Sequence, residues 1–255
     1  MVKCLICNGF SRLRFKSQSF KIYQCEDCKT SFLYPLPVNT EKIYDNNYFT
    51  LWYIKVYEER KKYFKNLLKK LKKYIPEKGK ILDVGCGIGI FMSLMKENDY
   101  QVYGQDISSF ALDFCKEKGF KVYNYLSEIN SQEKFDTITM LDSIAHIKNP
   151  IDYLQKCKKL LKQNGVLIIK TPLHSNYLFM IAKILKFTIK EKSILHLPAQ
   201  IFHFDKYSIS KLAKLTGFKL KKIIIFKEFI DKKISFYNIW KLLIERSMIV
   251  ILKNE

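Results

Sequence analysis

Four cysteines near the N-terminus have the spacing of a metal site. They form two C-x2-C pairs, Cys4 with Cys7 and Cys25 with Cys28, separated by seventeen residues. Each pair can place two thiolates on one ion through a tight turn, and two such turns complete a tetrahedral Zn²⁺ site. Because thiolates would fill all four positions, we expect a structural zinc and not a catalytic one. So short a segment buries little core, so we expect metal binding to drive its folding.

A glycine-rich segment in the middle of the chain predicts a cofactor loop. A short buried strand at 81–84 leads into Gly85, Gly87 and Gly89, and a helix follows from about residue 90 to 98. Glycines permit a sharp turn and let a ligand lie against the backbone, and the helix N-terminus offers free N–H groups. The G-x-G-x-G spacing differs from the G-x-G-x-x-G of dinucleotide folds and from phosphate loops.

A carboxylate follows the next predicted strand. Asp106 ends the strand that begins at Val102, about twenty residues beyond the glycines. An acid at this strand end is placed to accept hydrogen bonds from both hydroxyls of a ribose. The alternative is a capping role for the helix that begins near Ser108. The loop, the spacing and the acid together favour the ribose interpretation.

These residues need elements that hold them in place. The segment 34–37 predicts an extended exit from the cysteine region. A basic helix is predicted from about Leu51 to Ile75, with one apolar stripe and solvated lysines. The alternative is a surface for a polyanion or an anionic membrane. A helix from Tyr177, inside the segment 173–198, predicts a lid; the alternative is a helix in a membrane interface or a wall for a lipid-linked acceptor.

The composition indicates a globular protein. Of the 255 residues 48% are apolar and 15% aromatic, which suffices for a sizeable core and excludes a disordered chain. Collagen-like, coiled-coil, repeat and secreted disulfide-rich classes are excluded as well. We find no signal peptide and no transmembrane run, so we expect a reducing cytoplasm. The other three cysteines, Cys86, Cys115 and Cys157, are predicted to be buried core residues.

The net charge raises the question of a nucleic-acid partner. Lys+Arg of 45 minus Asp+Glu of 24 gives +21. Base and phosphate recognition favours arginine, however, and only four of the 45 are arginines: Arg12, Arg14, Arg60 and Arg246. We therefore favour a compositional bias with a lysine-rich surface over a dedicated nucleic-acid face.

Together these motifs resemble class I S-adenosylmethionine-dependent methyltransferases. The resemblance is carried by Ile-Leu-Asp-Val-Gly-Cys-Gly-Ile-Gly at 81–89, Gly-Gln-Asp-Ile-Ser at 104–108, Phe-Asp-Thr-Ile-Thr-Met-Leu-Asp-Ser-Ile-Ala-His-Ile at 135–147, Gln-Asn-Gly-Val-Leu-Ile-Ile-Lys-Thr-Pro at 163–172 and the segment 203–218. The cysteine region with Leu36-Pro37 and Tyr48 resembles the subgroup that carries an N-terminal zinc ribbon. Nearly the whole chain is covered.

The resemblance implies a fold and a domain organisation. The expected fold class is α/β, a Rossmann-like doubly wound sheet of seven strands preceded by a small zinc ribbon. The expected domains are the ribbon at 1–37, a helical linker or cap at 38–78, and the S-adenosylmethionine-binding domain at 79–255. A lid insert is expected near 173–205.

The resemblance also implies a cofactor site. The residues expected around S-adenosylmethionine are Asp83, Gly85, Gly87 and Gly89 at its methionine portion, Asp106 at its ribose, Ile107 beside its adenine, and Met140 and Leu141 near its sulfonium. Two positions depart from the family pattern. Ala145 precedes His146 where relatives often have glutamate, and Asn124 stands where relatives often place an acid, the next acid being Glu128.

The expected chemistry requires a base. Methyl transfer to oxygen or nitrogen is an in-line displacement, in which the protein positions the acceptor and removes its proton. Histidine is the natural base near pH 7. His146 lies just past the fourth strand of the sheet, and His196 and His203 lie where relatives cover the substrate. These three are the predicted catalytic residues, and His174 is a weaker candidate.

Three functions fit the sequence. The leading interpretation is a methyltransferase acting on a hydroxyl of a small molecule or sugar, as in the tailoring of surface polysaccharides or metabolites, with the ribbon bracing the enzyme. The second is an RNA methyltransferase, favoured by the charge and the ribbon but lacking an Asn/Asp-Pro-Pro-aromatic motif. The third is a non-catalytic adaptor, which the missing glutamate before His146 suggests.

Overall fold

The structure is a computed structural model that describes residues 2–17, 19–37, 54–185, 195, 197–227 and 246–255. Its strands are β1 (Val2–Lys3), β2 (Phe10–Lys16), β3 (Lys21–Cys25), β4 (Ser31–Leu33), β5 (Lys80–Val84), β6 (Gln101–Gln105), β7 (Lys121–Tyr123), β8 (Phe135–Leu141), β9 (Leu161–Pro172), β10 (Phe202–His203), β11 (Lys219–Lys227) and β12 (Arg246–Lys253). Its helices are α1 (Tyr57–Leu71), α2 (Ile90–Lys96), α3 (Ser109–Glu117), α4 (Pro150–Leu160), α5 (Asn176–Leu185) and α6 (Lys206–Leu215).

The larger sheet has seven strands in the order β11-β12-β9-β8-β5-β6-β7. The five strands from β9 to β7 are parallel, and β12 and β11 complete one edge in antiparallel register. The parallel strands are short apolar runs because helices cover both faces of such a sheet. The predicted doubly wound sheet is confirmed, and its carboxyl edge is the ligand-binding edge of this architecture.

Helix α1 covers one face of the sheet through the predicted apolar stripe. Leu67, Leu68 and Leu71 are buried against a cluster that includes Phe91 of α2 and Ile249 of β12. The α-helix ends at Leu71, followed by a tighter turn over 72–74. The residues just ahead of α1, 54–56, do not belong to it, and the predicted start near residue 51 lies outside the described residues.

A second sheet joins the N-terminal ribbon to the rest of the chain. Its order is β1-β2-β3-β4-β10, and β2 with β3 forms the hairpin expected between Phe10 and Tyr23. The last strand, β10, comes from far along the sequence and pairs antiparallel with β4 of the ribbon. The ribbon is therefore bonded into the carboxyl-terminal part of the chain.

Helix α5 packs against this ribbon. Its residues Leu178, Phe179 and Ala182 are buried in one cluster with Phe15 and Leu33 of the ribbon. Its opposite side, with Tyr177, Met180 and Ile184, is exposed. Among the residues that the structure describes, none of the helices has the length and apolar character needed to cross a bilayer.

Candidate active site and metal centre

The four ribbon cysteines converge on one point. Their sulfur atoms all lie within 4.8 Å of one another, with Cys4 Sγ 3.6 Å from Cys28 Sγ and Cys7 Sγ 3.4 Å from Cys25 Sγ. A tetrahedral Zn²⁺ with Zn–S bonds of about 2.3 Å requires sulfurs roughly 3.8 Å apart. The cluster therefore fits the predicted structural zinc in both ligand type and spacing.

Backbone geometry supports thiolates at this cluster. The amide of Ile6 donates to Cys4 Sγ and the amide of Asp27 donates to Cys25 Sγ, each at 3.4 Å. The contact between the two sulfurs lowers the pKa of Cys28 and raises the pKa of Cys4, so that in the absence of a metal the pair holds one proton more firmly than the other. Metal binding requires deprotonated sulfur, and an amide that donates to a sulfur stabilises that form.

The predicted cofactor loop lies at the carboxyl end of β5. Gly85, Gly87 and Gly89 have φ of 74°, 53° and 72°, in the left-handed region that glycine tolerates best. A Cβ added at Gly85 would lie 2.7 Å from Ser143 Cβ, and one at Gly89 would lie 2.9 Å from Cys115 Sγ. The loop therefore needs glycine both for its turn and for its close approach to neighbouring elements.

Asp106 ties this loop to the tip of β6. Its Oδ2 accepts a hydrogen bond from the Gly87 amide at 2.8 Å, and its Oδ1 accepts one from the Ser108 amide at 3.0 Å. The capping of α3 falls to Ser108, whose side chain accepts from the Ala111 amide. A carboxylate can accept about four hydrogen bonds, so Asp106 keeps capacity for two hydroxyls. Burial raises the pKa of Asp106.

Asp83 lies beneath the loop in a dry position. It is buried within β5, and its Oδ1 accepts a hydrogen bond from Thr139 Oγ1 of β8 at 2.6 Å. Burial raises the pKa of Asp83 to about 7, against the opposing effect of the Thr139 hydrogen bond. The carboxyl group therefore changes protonation state near neutral pH.

Two large side chains stand exposed beside Asp106. Ile107 is 47% exposed at the end of β6, and Tyr125 is 60% exposed just after β7. Ile107 is the residue that the resemblance places beside the adenine, and Tyr125 follows the neighbouring parallel strand. Glu128, the acid noted there, accepts from the Asn124 amide at 2.9 Å.

Strand β8 ends beside the glycine loop. Met140 is fully buried in the core, whereas Leu141 is partly buried on the face that α1 covers. Ser143 donates a hydrogen bond to the Val84 carbonyl at 3.0 Å and packs against Gly85. The residues just past β8 are thus fixed directly against the loop.

A buried ion pair at this strand end was not predicted. Lys170 of β9 has a side chain only 4% exposed, and its Nζ lies 2.5 Å from Asp142 Oδ2, whose side chain is 45% exposed. The ammonium also stands 5.4 Å from the ring centre of Tyr63 in α1. Asp142 has φ of 67°, an unfavourable backbone region for a residue with a Cβ. A lysine inside the apolar run of β9 was the available sequence signal.

Asp142 and Lys170 are both unusual: Asp142 has a left-handed backbone, and Lys170 carries a buried charge. A buried charge is costly unless it is paired, and a left-handed non-glycine residue stores strain that clusters at functional sites. The two residues lie at the ends of neighbouring strands, and Asp142 immediately precedes Ser143, which packs against Gly85 of the glycine loop. The tips of β8 and β9 therefore combine a charge pair with a left-handed aspartate beside the glycine loop.

His146 lies on the turn that follows β8, over Ile144–His146. Its Nδ1 is 2.7 Å from the Ala199 carbonyl oxygen. Because a carbonyl can only accept, Nδ1 carries the proton and Nε2 is the basic nitrogen. The side chain is partly exposed, in accord with a position at the active edge.

The other predicted histidines are placed differently. His203 and His174 are both buried, their ring centroids 4.6 Å apart, with Phe179 of α5 beside them. His203 Nε2 donates to the Leu195 carbonyl at 3.0 Å. The structure therefore brings His203 together with His174 in a packed interior. His196 lies outside the described residues.

Arg14 fastens the ribbon to α5. Its guanidinium donates to Ser31 Oγ of β4 and to Asn176 Oδ1 of α5, each at 2.5 Å, and stacks 3.7 Å from the ring centre of Phe179. Removal from water lowers the pKa of Arg14 to about 10, although the nearby Asp205 carboxylate opposes that shift. This arginine was counted in the sequence but not assigned a role.

The sequence is similar to those of known methyltransferases. The family described as "Methyltransferase domain" matches residues 56–223. The chain is 32% identical over 105 residues to the ubiquinone biosynthesis O-methyltransferase of Haemophilus ducreyi, a match that covers 36% of this chain and 44% of that protein. The chain spans less than half the length of the curated relatives it matches.

Solved structures share the fold. A SAM-dependent methyltransferase of Thermotoga maritima superposes with a TM-score of 0.59 at 19% identity, covering 81% of this chain and 97% of that one. The magnesium protoporphyrin IX methyltransferase of Synechocystis, solved with bound SAH, gives a TM-score of 0.54 at 16% identity, covering 77% and 84%.

Proposed function

Because the chain belongs to the class I S-adenosylmethionine-dependent methyltransferases, we propose that it methylates a hydroxyl group of a small molecule. One observation carries the proposal: the glycine loop and Asp106 meet at the carboxyl edge of the sheet, joined by the Gly87 amide. This arrangement leaves a carboxylate with spare acceptor capacity beside a loop that lets a ligand lie on the backbone.

The donor set fits the cofactor. Asp106 would accept from the ribose hydroxyls, and Ile107 and Tyr125 would cover the adenine ring. The loop over 85–89, with Asp83 beneath it, would hold the methionine portion. When bound, the cofactor supplies an electrophilic methyl group on a positively charged sulfur.

The acceptor's proton is assigned to His146. Its Nδ1–H is committed to the Ala199 carbonyl, so Nε2 is the nitrogen that can take a proton. Histidine has an ordinary pKa of about 6.5, which suits a base at neutral pH. The buried pair of His203 and His174 is assigned to packing. Asp142 offers the acceptor a second polar contact, and Lys170 holds that carboxylate in place.

The relatives favour oxygen as the acceptor atom. The curated relatives are O-methyltransferases of ubiquinone biosynthesis. Hydroxyls of aromatic rings and of sugars both lose an O–H proton when the oxygen is methylated, so both belong to the proposed acceptor class. A sugar of a surface polysaccharide is one member of that class.

Cofactor binding is the first test. Calorimetric titration of S-adenosylhomocysteine into zinc-loaded protein should give micromolar binding. Asp106→Ala should weaken that binding at least tenfold, because a charge-assisted hydrogen bond contributes about 1.5–3 kcal/mol. Asp113→Ala is the matched control: it removes an exposed acid from neighbouring α3 and should leave the affinity unchanged. A folded wild-type protein that does not bind S-adenosylhomocysteine would refute the proposal and favour an adaptor.

Acceptor class is the second test. Methyl transfer from labelled S-adenosylmethionine should be measured on a panel that contains a catechol, a hexose, a primary amine and total RNA. Labelling of the catechol or the hexose supports the proposal. Labelling of RNA alone, with binding that collapses between 50 and 200 mM salt as expected for about six or more phosphate contacts, would replace it with an RNA methyltransferase.

A further inference from the structure

The ribbon shares a continuous hydrogen-bonded sheet with the segment beside His146. Strand β4 of the ribbon pairs with β10, so that Phe32 faces Phe202 and Ser31 faces His203. Just before β10, the Leu33 amide donates to the Ile201 carbonyl at 2.8 Å. The residues that precede β10 are therefore fixed by the ribbon.

The same residues hold the turn after β8. The Ile201 amide donates to the Ala145 carbonyl at 2.9 Å, and His146 Nδ1–H donates to the Ala199 carbonyl at 2.7 Å. The segment 199–201 thus has the ribbon on one side and the His146 turn on the other. Segment 199–201, which precedes β10, therefore connects the ribbon to the His146 turn through hydrogen bonds.

Packing follows the same path. Cys4, Cys25 and Cys28 lie in one buried cluster with Phe32 of β4, Phe202 of β10 and Ile144 of the turn. Close-packed protein interiors transmit displacement because they contain few voids that could absorb it. The glycine loop, in contrast, takes its hydrogen bonds from β6, through Gln105 and Asp106.

We infer that the metal-bound ribbon is a positioning element for His146. The ribbon fixes segment 199–201, the Ala199 carbonyl selects the imidazole tautomer with the proton on Nδ1, and Nε2 is thereby directed to the acceptor. The inference rests on the proposed function, since a selected tautomer matters only if His146 takes the acceptor's proton. The ribbon thus acts on the acceptor half of the site, whereas the amides of the glycine loop are held by Gln105 and Asp106.

The test reads the tautomer directly. Long-range ¹H–¹⁵N spectra of ¹⁵N-histidine protein identify which ring nitrogen is protonated, and His146→Gln assigns the signal among the four histidines. In zinc-loaded wild type we expect the Nδ1–H form. In Cys25→Ser, which lacks a metal ligand, the signal should move to a mixture with the Nε2–H form, because the bond that selects the tautomer is loosened.

Two further variants keep the test sharp if Cys25→Ser does not fold. Phe32→Leu loosens the ribbon where it meets β10 and should shift the tautomer in the same direction with zinc retained. Phe15→Leu makes the same substitution in the ribbon core that faces α5 and should leave the tautomer unchanged. S-adenosylhomocysteine affinity should stay within about twofold in all three variants, because the amides of the glycine loop are held by Gln105 and Asp106 and not by the ribbon.

Three results would overturn the inference. An Nε2–H form in zinc-loaded wild type contradicts it, as does a tautomer that is unchanged in both Cys25→Ser and Phe32→Leu. If the ribbon variants lose both the Nδ1–H form and the affinity for S-adenosylhomocysteine, the ribbon supports the fold in general and does not position His146 specifically. Failure of wild type to bind S-adenosylhomocysteine refutes the proposed function instead, and the tautomer measurement separates the two cases.

Discussion

The proposed cofactor half and the proposed acceptor half of the site are built in opposite ways. The cofactor half comes from one stretch of chain, in which β5, the glycine loop, α2 and β6 follow each other and Asp106 closes the loop through the Gly87 amide. The acceptor half is assembled from segments far apart in sequence: β2 and β4 of the ribbon, the turn at His146, α5 and β10. Local sequence therefore specifies the first half and tertiary contacts specify the second.

The halves also differ in what stabilises them. The cofactor half lies on a buried parallel sheet whose apolar strands supply its stability. The ribbon is too small for such a core, and we expect its stability to come from a bound metal ion, from the pairing of β4 with β10 and from packing against α5. Disruption of the ribbon should thus damage the acceptor half while the cofactor half survives.

The largest expected effect is loss of the metal. Cys25→Ser removes one of four sulfur ligands, so zinc content measured by atomic emission should fall from one per chain to near zero. Structural zinc binding supplies on the order of 10 kcal/mol to such small units, so the ribbon should unfold. Hydrogen exchange should show rapid exchange of β2, β3 and β4 and retained protection of β5 and β8. Equal loss of protection in both sheets would contradict the division into halves.

Cys157→Ala provides the control for that experiment. Cys157 is as buried as Cys4, Cys25 and Cys28, but it lies in α4 and its sulfur is not one of the four that converge. Its substitution should lower the melting temperature by a few degrees, through a small cavity, with zinc content unchanged.

The second effect is a pH dependence that arises in the cofactor half. Burial raises the pKa of Asp83 from 3.8, the ordinary value for an aspartate, to about 7 in the folded protein. Between these values the folded state holds a proton that the unfolded state has released, so stability falls as pH rises. Asp83→Asn should remove this decline and exceed wild type at pH 8 by up to about 4 kcal/mol, with a small difference at pH 4. Melting temperatures across this range measure it.

Asp113→Asn is the matched control, since that side chain is mostly exposed and should leave the slope unchanged. Asp106, whose pKa is also raised by burial, keeps part of the slope in both variants. A wild-type stability that rises steadily from pH 4 to pH 8 would show that Asp83 is ionised in the folded protein throughout.

The sequence predicted most of what is local. The two C-x2-C pairs, the glycine loop with Asp106 at the next strand end and the α1 stripe all depend on short spacing within one or two elements. The seven-stranded sheet followed from the family resemblance that these motifs carry. The pairing of β4 with β10 was not predictable, because two residues of strand carry no periodicity and their partner is about 170 residues away. His203, predicted as a catalytic residue, is held in that contact.

The Asp142–Lys170 pair shows a second limit. Lys170 is visible in the sequence as a charge inside an apolar run, but only the register that sets Leu141 opposite Lys170 identifies Asp142 as its partner. Likewise Arg14 is one of four arginines in the sequence, and its partners Ser31 and Asn176 come from two other elements. Residues whose role depends on register or on domain contact need coordinates to be found.

The third effect tests the close packing of the cofactor loop. Gly89→Ala introduces a Cβ 2.9 Å from Cys115 Sγ at a residue with φ of 72°, and should cost about 3 kcal/mol and weaken S-adenosylhomocysteine binding. Gly119→Ala has nearly the same φ of 73° but meets no atom within 4 Å, so it should cost about 1 kcal/mol and leave binding unchanged. Urea denaturation and calorimetry measure the two quantities. Equal costs would show that the backbone angle, not the contact with Cys115, decides.

The smallest effect concerns the clamp between the ribbon and α5. Arg14→Ala removes two hydrogen bonds and the stacking on Phe179, and should cost about 1–2 kcal/mol. Arg12→Ala, two residues earlier on the same strand, removes an 84% exposed partner of Glu26 and should cost less than about 0.5 kcal/mol. Because Arg14 serves only the acceptor half, S-adenosylhomocysteine affinity should stay the same in both variants while exchange of the α5 amides rises in Arg14→Ala alone. A weakened cofactor affinity in Arg14→Ala would mean that the two halves are coupled through α5, and the division between them would then lie elsewhere in the fold.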